Sequence, residues 1–181
     1  FFFNTLNSMS ALLLDRRTAD AEGMITKLAG FFRMTLAADP LADTSLADEL
    51  TLQKAYLEIE QVRFPDLEVR IDVPEALRDA CVPSLILQPL VENAVKHGVG
   101  QSSPPCAIEI RAQTSSGVLT IAVENRCGPR RAGARPSGTG LGLHNVAERL
   151  THRFGHEARL TAETLPPNAY RVTLEMPLVR P

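Results

Sequence analysis

The sequence predicts an α+β protein in which a helical segment is followed by a mainly antiparallel sheet with helices on one face. Through about residue 64, apolar residues recur every three or four positions, which is the spacing of amphipathic helices. Beyond residue 65, short stretches alternate apolar and charged residues as half-buried strands do, and helical stretches separate them. A chain of 181 residues with 44% hydrophobic residues can bury the core that this architecture needs. We therefore divide the chain into residues 1–64 and residues 65–181.

Three helices are predicted in the first segment. The helical spacing runs through residues 1–38 and is interrupted near residues 15–20, which indicates two helices. Ser45 followed three residues later by Asp48 is typical of a capping box, so a third helix is expected at about residues 46–64.

The second segment begins with a predicted strand at residues 67–73. Pro83 suits the first turn of a helix that we expect to reach His97, and Pro89 inside that helix should bend it or weaken one turn. Gly155 is expected to end a later helix. The remaining elements predicted are strands at residues 107–112, 118–123, 158–164 and 170–176 and a helix at residues 143–154.

The composition excludes several classes of function. A formal net charge of -2 provides no overall field for nucleic acid or an anionic membrane, and no apolar run is long enough for a membrane span. Three widely spaced cysteines fit neither a disulfide framework nor a zinc pattern, so we interpret them as free thiols in a reducing cytoplasm. The sequence starts without Met inside an amphipathic helix, and we expect a fragment of a longer protein.

The predicted helix at residues 85–97 has two distinct faces. At 100° per residue, Glu92, Asn93, Lys96 and His97 fall on one side, opposite a continuous apolar arc. A carboxylate, an amide, an ammonium and an imidazole on one face suit a binding site, although a solvated outer face would have the same pattern. Asn in the middle of a helix favours the first interpretation slightly, because Asn is a poor helix former.

A glycine-rich stretch leads directly into the helix after residue 140. Three glycines there let backbone N–H groups approach an anion, and the helix N-terminus adds unpaired donors, so phosphate is the expected ligand. The spacing matches neither a P-loop nor a dinucleotide-binding fingerprint. The preceding residues 126–140 are rich in Gly, Pro, Arg and Ser, which is typical of a mobile functional loop such as a lid.

Together these stretches resemble the LytS-type sensor histidine kinases. Residues 87–98 are similar to the N box of that family and residues 138–143 to its second glycine box; the sequences are LQPLVENAVKHG and GTGLGL. Residues 56–64 (YLEIEQVRF) are similar to the stretch before the ATP-binding domain. Residues 3–7 (FNTLN) match the end of the phosphoacceptor motif, so the resemblance covers nearly the whole chain.

The resemblance implies a helical dimerisation segment followed by a Bergerat-type (GHKL) ATP-binding domain. Carried over by position, Asn93 is expected to bind Mg²⁺, and Lys96 and His97 to meet the phosphates of ATP. Three arginines, Arg130, Arg131 and Arg135, are optional reinforcements on the lid. The glycine box is expected to hold phosphate through Gly138, Thr139, Gly140, Leu141, Gly142 and Leu143.

One family motif departs from its pattern. The adenine-binding Asp and the Gly two residues later correspond here to Asn125 and Cys127. An amide oxygen can still accept from the adenine amino group, but more weakly than a carboxylate, so we prefer an active kinase with reduced ATP affinity. The alternative is a degenerate nucleotide-binding dimerisation module without kinase activity. An ATPase of the gyrase or MutL kind is disfavoured because the segment at residues 3–7 belongs to kinases.

The motif match places the phosphoacceptor histidine one position before Phe1. Phe1 cannot act as a base, so Glu92 is our candidate for accepting the imidazole proton. Asn4 lies one helical turn after that histidine and is expected to assist dephosphorylation of the regulator. A minor role at the site is open for His144, whereas His152 and His156 fit the end of a helix.

The resemblance also implies partners and a location. The chain is expected to form a homodimer through its N-terminal helices and to pass phosphate to a response regulator of the LytTR type. We expect no nucleic acid and no membrane contact by this fragment. The location is expected to be cytoplasmic, with the full-length protein anchored in the inner membrane.

Overall fold

A computed structural model describes residues 1–129 and 141–181. It confirms the predicted α+β architecture, with a helical segment followed by a layered domain. The helices are α1 (Phe2–Leu14), α2 (Thr18–Ala37), α3 (Leu46–Arg63), α4 (Gln88–Asn93) and α5 (Leu141–Phe154). The strands are β1 (Asp43–Ser45), β2 (Leu67–Asp72), β3 (Cys81–Pro83), β4 (Cys106–Ser115), β5 (Val118–Cys127), β6 (Arg159–Leu165) and β7 (Ala169–Pro177).

In the helical segment, α1 and α2 pack against α3. The predicted break between the first two helices and the predicted start of the third are both confirmed. The chain breaks between α1 and α2, and the Asp48 N–H donates to Ser45 Oγ at 3.0 Å at the start of α3. Aromatic rings join the three helices: the Tyr56 ring lies 4.8 Å from that of Phe1 and 5.8 Å from that of Phe31. Burial of these rings fixes the beginning of α1 beside the middle of α3.

Five strands form the main sheet, in the order β2-β4-β5-β7-β6. The pair β2 and β4 is parallel and the other neighbours are antiparallel, so the sheet is mainly antiparallel, as the sequence predicted. Alternate residues of the central strands, such as Ile108, Ile110 and Ile121, are fully buried. Residues 94–98, which follow α4, pack on β4 and β5, and α5 packs on β6 and β7, beside the region that carries the predicted site.

The prediction for residues 83–97 is wrong in its first half. Pro83 ends a strand, β3, which pairs with β1 in a small antiparallel sheet, and the helix begins only at Gln88. Pro89 therefore occupies the first turn of α4, where its missing N–H breaks no helical hydrogen bond and no bend is needed. The loop expected at residues 126–140 begins later than predicted, because β5 extends to Cys127.

The small sheet also crosses the division expected after residue 64. Strand β1 precedes α3, whereas its partner β3 lies beyond β2, with Asp43 opposite Pro83 in the register. Backbone hydrogen bonds from Leu46 to Ala80 and from Ala47 to Arg78 continue the connection. The helical segment and the layered domain are thus joined through the start of α3, and the division between residues 1–64 and 65–181 stays a prediction.

The outer surface of α1 and α2 carries large apolar side chains. Phe3 is 80% exposed, and Leu14 and Leu36 are about as open to solvent. Among the helices of residues 1–129 and 141–181, none combines the length and the apolar character that crossing a lipid bilayer requires. An exposed apolar surface of this kind is typical of a protein interface.

Candidate functional site

The predicted two faces of the helix around Asn93 are confirmed by its burial. Leu90, Val91 and the residues that continue this side are buried against the sheet. On the opposite side, Glu92 and Lys96 are exposed, and Asn93 and His97 are half-buried. This polar side, which we call the Asn93 face, brings together the four polar residues predicted from the helical spacing.

After Asn93 the helix widens into a π-helical turn, Ala94–Gly98, in which the N–H of Val99 donates to the carbonyl oxygens of Ala94 and Val95. Single π-helical turns are frequent at functional sites because they displace side chains from the ordinary helical positions. Here the wide turn carries Gly98 onto strand β5. We use the name nucleotide helix for α4 together with this turn, residues 88–98.

Gly98 fits because it has no side chain. A Cβ atom at this position would lie 2.5 Å from the Cγ of Asn125, which is closer than such atoms approach one another, and 3.1 Å from its Cβ, which is a tight contact. The backbone of Gly98 has a φ of -89°, which any residue can adopt, so the requirement is for space. The end of the nucleotide helix is therefore in direct contact with the Asn125 side chain.

Asn125 itself is buried, at 6% exposure, on the last part of β5. Its side chain is in hydrogen-bonding contact with the thiol of Cys127, two residues further along the same face of the strand. Burial raises the pKa of the Cys127 thiol, as does its contact with Cys106, so the sulfur is protonated at neutral pH. The predicted adenine contact is thus a neutral amide held between a glycine and a neutral thiol.

The beginning of the nucleotide helix is held by a carboxylate that the sequence analysis did not identify. Glu49 of α3 is 2% exposed, and its two oxygens accept from the backbone N–H groups of Leu85 and Leu87 at 2.5 and 3.0 Å. Leu85 adopts a φ of 59°, an uncommon conformation for a residue with a side chain. The Glu49 carboxylate thereby fixes the strained turn from which α4 starts.

Burial raises the pKa of Glu49, although the N–H groups of Leu87 and Leu85 and the charge of Arg149 oppose this shift. Arg149 of α5 also donates to the carbonyl oxygen of Ser84 at 2.7 Å and to that of Pro40 at 3.0 Å. Helices α3, α4 and α5 consequently meet at one polar cluster.

Helix α5 begins beside the first turn of α4. A Cβ atom on Gly142 would lie 3.7 Å from the Cβ of Pro89, which is ordinary contact, and Leu141 and Gly142 are exposed. The first turn of α5 contains no acidic residue, so its N–H groups and the positive end of its dipole are not neutralised from within the helix. Leu143 is half-buried and packs on the core. The predicted residues Gly138, Thr139 and Gly140, and Arg130, Arg131 and Arg135, lie outside the described residues.

Glu92 accepts a hydrogen bond from the Gln88 side chain at 2.8 Å. It also lies within electrostatic reach of Tyr56: burial raises the pKa of that phenol, and the negative charges of Glu60 and Glu92 raise it further. The Tyr56 ring also contacts Phe1 at the beginning of α1.

Asn4 is exposed on α1, where its carbonyl oxygen accepts from Ser8. Within the described parts of the chain, the hydrogen bonds and ion pairs do not connect its side chain to the Asn93 face. His144 lies 3.4 Å from Glu148 on the exposed side of α5, and His152 and His156 are exposed at the end of that helix. Within residues 1–129 and 141–181, the ion pair of His144 lies inside α5, and its role at the site stays a prediction.

The donor set of the Asn93 face suits a metal-bound phosphate better than a free metal ion. Residues 1–129 and 141–181 contain no cluster of three His, Cys, Asp or Glu side chains that could hold a metal. The groups that remain are one amide oxygen, an exposed ammonium, an imidazole and the N-terminus of α5. Mg²⁺ commonly takes only one or two oxygens from the protein when phosphates supply the others. The residues therefore fit Mg²⁺ that arrives with a nucleotide.

Comparison with known proteins finds similarity along nearly the whole chain. Residues 1–67 match a family model described as histidine kinase. The chain is 35% identical over 178 residues to sensor histidine kinase BtsS of Escherichia coli K12, which covers 98% of the chain and 31% of BtsS. It is 31% identical over 191 residues to sensor protein LytS of Bacillus anthracis, covering 98% of the chain and 32% of LytS. The chain spans about a third of the length of these curated relatives.

Solved structures share the fold. The catalytic domain of histidine kinase ThkA superposes with a TM-score of 0.54 at 15% identity, over 77% of this chain and 97% of that domain. Full-length ShkA, solved in complex with AMPPNP, superposes with a TM-score of 0.56 at 17% identity, over 95% of this chain and 39% of ShkA.

Proposed function

We propose that this chain is part of a LytS-type sensor histidine kinase, that it binds Mg-ATP on the Asn93 face and that it transfers the γ-phosphoryl group to a histidine. The observation that carries the proposal is that four polar side chains lie on one side of the nucleotide helix: Glu92, Asn93, Lys96 and His97. Beside them lies the N-terminus of α5, which has no acid in its first turn. An ammonium and the N-terminus of a helix on one surface favour a polyanion.

Each residue has a proposed task. The Asn93 oxygen holds Mg²⁺, the Lys96 ammonium and the His97 imidazole meet phosphate oxygens, and the N–H groups of the first turn of α5 meet them from the other side. The glycine box residues Gly138, Thr139 and Gly140 complete this cradle in the proposal. When bound, Mg-ATP supplies the transferable phosphoryl group and the cation that neutralises its developing charge.

Asn125 is the proposed adenine contact. Its burial beside Gly98 holds the amide where an oxygen can accept from an exocyclic amino group without competition from bulk water. ShkA, a protein of the same fold, was solved in complex with AMPPNP, which supports a nucleotide as the ligand. Because the amide is neutral, we propose a weaker adenine contact than a carboxylate would make.

The acceptor histidine is proposed to precede Phe1 by one residue. The Phe1 ring is 4.8 Å from the Tyr56 ring, and the negative charge of Glu92 raises the pKa of Tyr56, which supports a position of this end of α1 near Glu92. Glu92 is the proposed acceptor of the imidazole proton, and Asn4, one turn further along α1, the proposed residue for dephosphorylation of the regulator.

The activity of the whole protein extends the proposal. The exposed apolar side chains of α1 and α2 support a homodimer through these helices. We propose that the phosphate passes to an aspartate of a response regulator, of the LytTR type, and that residues 1–64 act as the dimerisation and phosphotransfer segment and residues 65–181 as the ATP-binding domain. A cytoplasmic position for this part and an inner-membrane anchor elsewhere in the protein belong to the same proposal.

Labelled ATP tests the assignment. Two proteins are incubated with γ-labelled ATP and Mg²⁺: the present chain and a version extended upstream through the expected histidine. The proposal requires that both bind ATP and that only the extended version becomes labelled, on that histidine. Labelling of His97, His144, His152 or His156 in the present chain would contradict it, as would an extended version that binds ATP and stays unlabelled.

A further inference from the structure

Two of the three cysteines face each other across neighbouring strands. Cys106 is the first residue of β4 and Cys127 the last residue of β5, and they are directly opposite in the antiparallel register. Both are buried, at 5% and 8% exposure, and both are free thiols. The third cysteine, Cys81, lies on β3 and has no such partner among the described residues.

The backbone hydrogen bonds around Cys106 and Cys127 show which kind of antiparallel residue pair they form. The N–H of Cys127 donates to the carbonyl oxygen of Asn168, on the β7 side of the strand, and the N–H of Gly128 donates to that of Pro105, on the β4 side. Cys106 and Cys127 therefore form a non-hydrogen-bonded pair of the β4–β5 ladder. The Cα atoms of such pairs are typically about 4.5 Å apart, within the range of about 4.4–6.8 Å that disulfides span.

The two thiols are in contact with each other, and Cys106 also lines a cavity. Cys127 is in hydrogen-bonding contact with Cys106, and the Cys106 thiol donates to the Ser103 carbonyl oxygen at 3.7 Å. Cys106 lines a cavity of about 150 Å³ between the end of α3 and the start of β4, together with Phe64 and Pro104. A molecule as small as a peroxide fits in that volume.

We propose that Cys106 and Cys127 are an oxidative modification site, at which a peroxide forms a disulfide that weakens nucleotide binding by this chain. In the first step the Cys106 sulfur attacks the peroxide, an S–O bond forms as the O–O bond breaks, and the thiol proton leaves with the released hydroxide as one water. In the second step the Cys127 sulfur attacks the sulfenic acid, an S–S bond forms as the S–O bond breaks, and its proton leaves with the hydroxide as a second water. Two thiols and one hydrogen peroxide thus give one disulfide and two waters.

The link to the nucleotide is Asn125, so this part of the inference rests on the proposed function. Asn125 and Cys127 lie two residues apart on the same face of β5, and the contact from the amide to the sulfur lowers the pKa of the thiol, as a donor to sulfur does. In the disulfide the Cys127 sulfur is drawn toward Cys106 and accepts less well. The Asn125 amide then loses the contact that orients its oxygen, and ATP is expected to bind about five times more weakly.

Peptide mapping and calorimetry on the full chain test both parts. The reduced chain is treated with hydrogen peroxide, its remaining thiols are alkylated, and its peptides are identified by mass spectrometry. Mg-ATP is titrated into the reduced, oxidised and re-reduced protein. Cys106→Ala removes one partner, and Cys81→Ala is the matched control because it leaves the facing pair intact.

The inference predicts a cross-link between Cys106 and Cys127 with Cys81 alkylated, and a fivefold loss of affinity that dithiothreitol reverses. The Cys81→Ala protein should behave in the same way, whereas peroxide should not change the affinity of Cys106→Ala. Wild-type protein whose Cys106 and Cys127 are both alkylated after peroxide would overturn the modification site. A cross-linked protein with unchanged affinity would overturn its effect on the nucleotide. Absence of binding by the reduced chain would contradict the proposed function instead, and the peptide map would still decide whether the disulfide forms.

Discussion

The two ends of the nucleotide helix are fixed by different kinds of interaction. At its start, the Glu49 carboxylate of α3 accepts the N–H groups of Leu85 and Leu87. At its end, Gly98 packs against the Asn125 side chain with no room for a Cβ atom. The start therefore depends on the hydrogen-bonding capacity of one buried group, whereas the end depends on the shape of two neighbouring residues.

The two ends of the nucleotide helix are also connected to different parts of the molecule. Glu49 belongs to the helical segment, so the start of the nucleotide helix follows the position of α3. Asn125 belongs to the central sheet, so the end follows the layered domain. The Asn93 face lies between them, and a change at either end is expected to reach it by a different route.

The largest effect is expected from Gly98→Ala. The added methyl group would overlap the Cγ of Asn125, which is buried and cannot turn away without displacing Cys127 or the nucleotide helix. Overpacking of this kind costs about 1–3 kcal/mol, and ATP binding should be lost with the geometry of the site. Urea unfolding and a Mg-ATP titration would measure the two consequences.

A matched substitution makes that prediction specific. Gly30→Ala on α2 places a methyl group where nothing lies within 4 Å, so it should leave binding unchanged and stabilise the helix by up to about 1 kcal/mol. Adding Asn125→Ala to Gly98→Ala removes the atoms in closest conflict and should recover part of the lost stability. If Gly98→Ala proves as harmless as Gly30→Ala, the end of the nucleotide helix is not fixed by close packing.

A smaller effect is expected at the start of the helix from Glu49→Gln. The amide can replace one carboxylate oxygen but turns an NH₂ group toward the second backbone N–H, leaving either Leu85 or Leu87 without its partner. An unsatisfied buried N–H costs about 1–3 kcal/mol. Unfolding by urea should show this loss, and ATP affinity should fall less than in Gly98→Ala because the Asn125 contact is retained.

The pH dependence of the unfolding free energy, compared between wild type and Glu49→Gln, shows whether burial raises the pKa of Glu49. Because burial raises the pKa of Glu49 above its ordinary value of 4.5, the folded protein holds the proton more tightly than the unfolded chain does. The Glu49 contribution to the unfolding free energy is then fully present below pH 4.5 and declines as pH rises through the folded pKa. The stability gap between wild type and Glu49→Gln should accordingly narrow with rising pH; a gap that widens would contradict the assignment.

Much of this arrangement could be predicted from the sequence, and the omissions have physical causes. The polar and apolar sides of residues 87–98 followed from helical spacing, which depends only on neighbours in the chain. The role of Glu49 depends on partners 36 and 38 residues away, which no local pattern encodes. One signal was available: Glu49 lies on the apolar stripe of α3 beside Leu46 and Leu50, a position where a carboxylate must be satisfied if it is buried.

Strand β3 and the start of α4 were misjudged for a related reason. Pro83 fits the first turn of a helix and the end of a short strand equally well, and only the distant partner β1 decides between them. The contact between Gly98 and Asn125 was also invisible, because the glycine has an ordinary φ and its need for space arises from β5.

The smallest effect is expected from Asn125→Asp. A carboxylate accepts the adenine amino hydrogen bond more strongly than an amide, whereas its burial beside Cys127 opposes ionisation. We expect the stronger hydrogen bond to prevail, so that ATP affinity rises by about threefold to tenfold while the stability of the ATP-free protein falls. Unchanged or weaker binding in a titration would show that Asn125 does not contact the adenine.

The central claim is that the Asn93 face, held from both ends, binds the phosphates of Mg-ATP. Calorimetric titration of Mg-ATP into wild-type protein, Asn93→Ala and the control Asn7→Ala tests it most directly, since Asn7 is an exposed amide on α1 away from this face. The account predicts measurable binding by wild type and Asn7→Ala, and at least a tenfold loss for Asn93→Ala without a change in unfolding by urea, because a metal ligand is removed from a half-exposed position. Equal affinity of Asn93→Ala and wild type would contradict it.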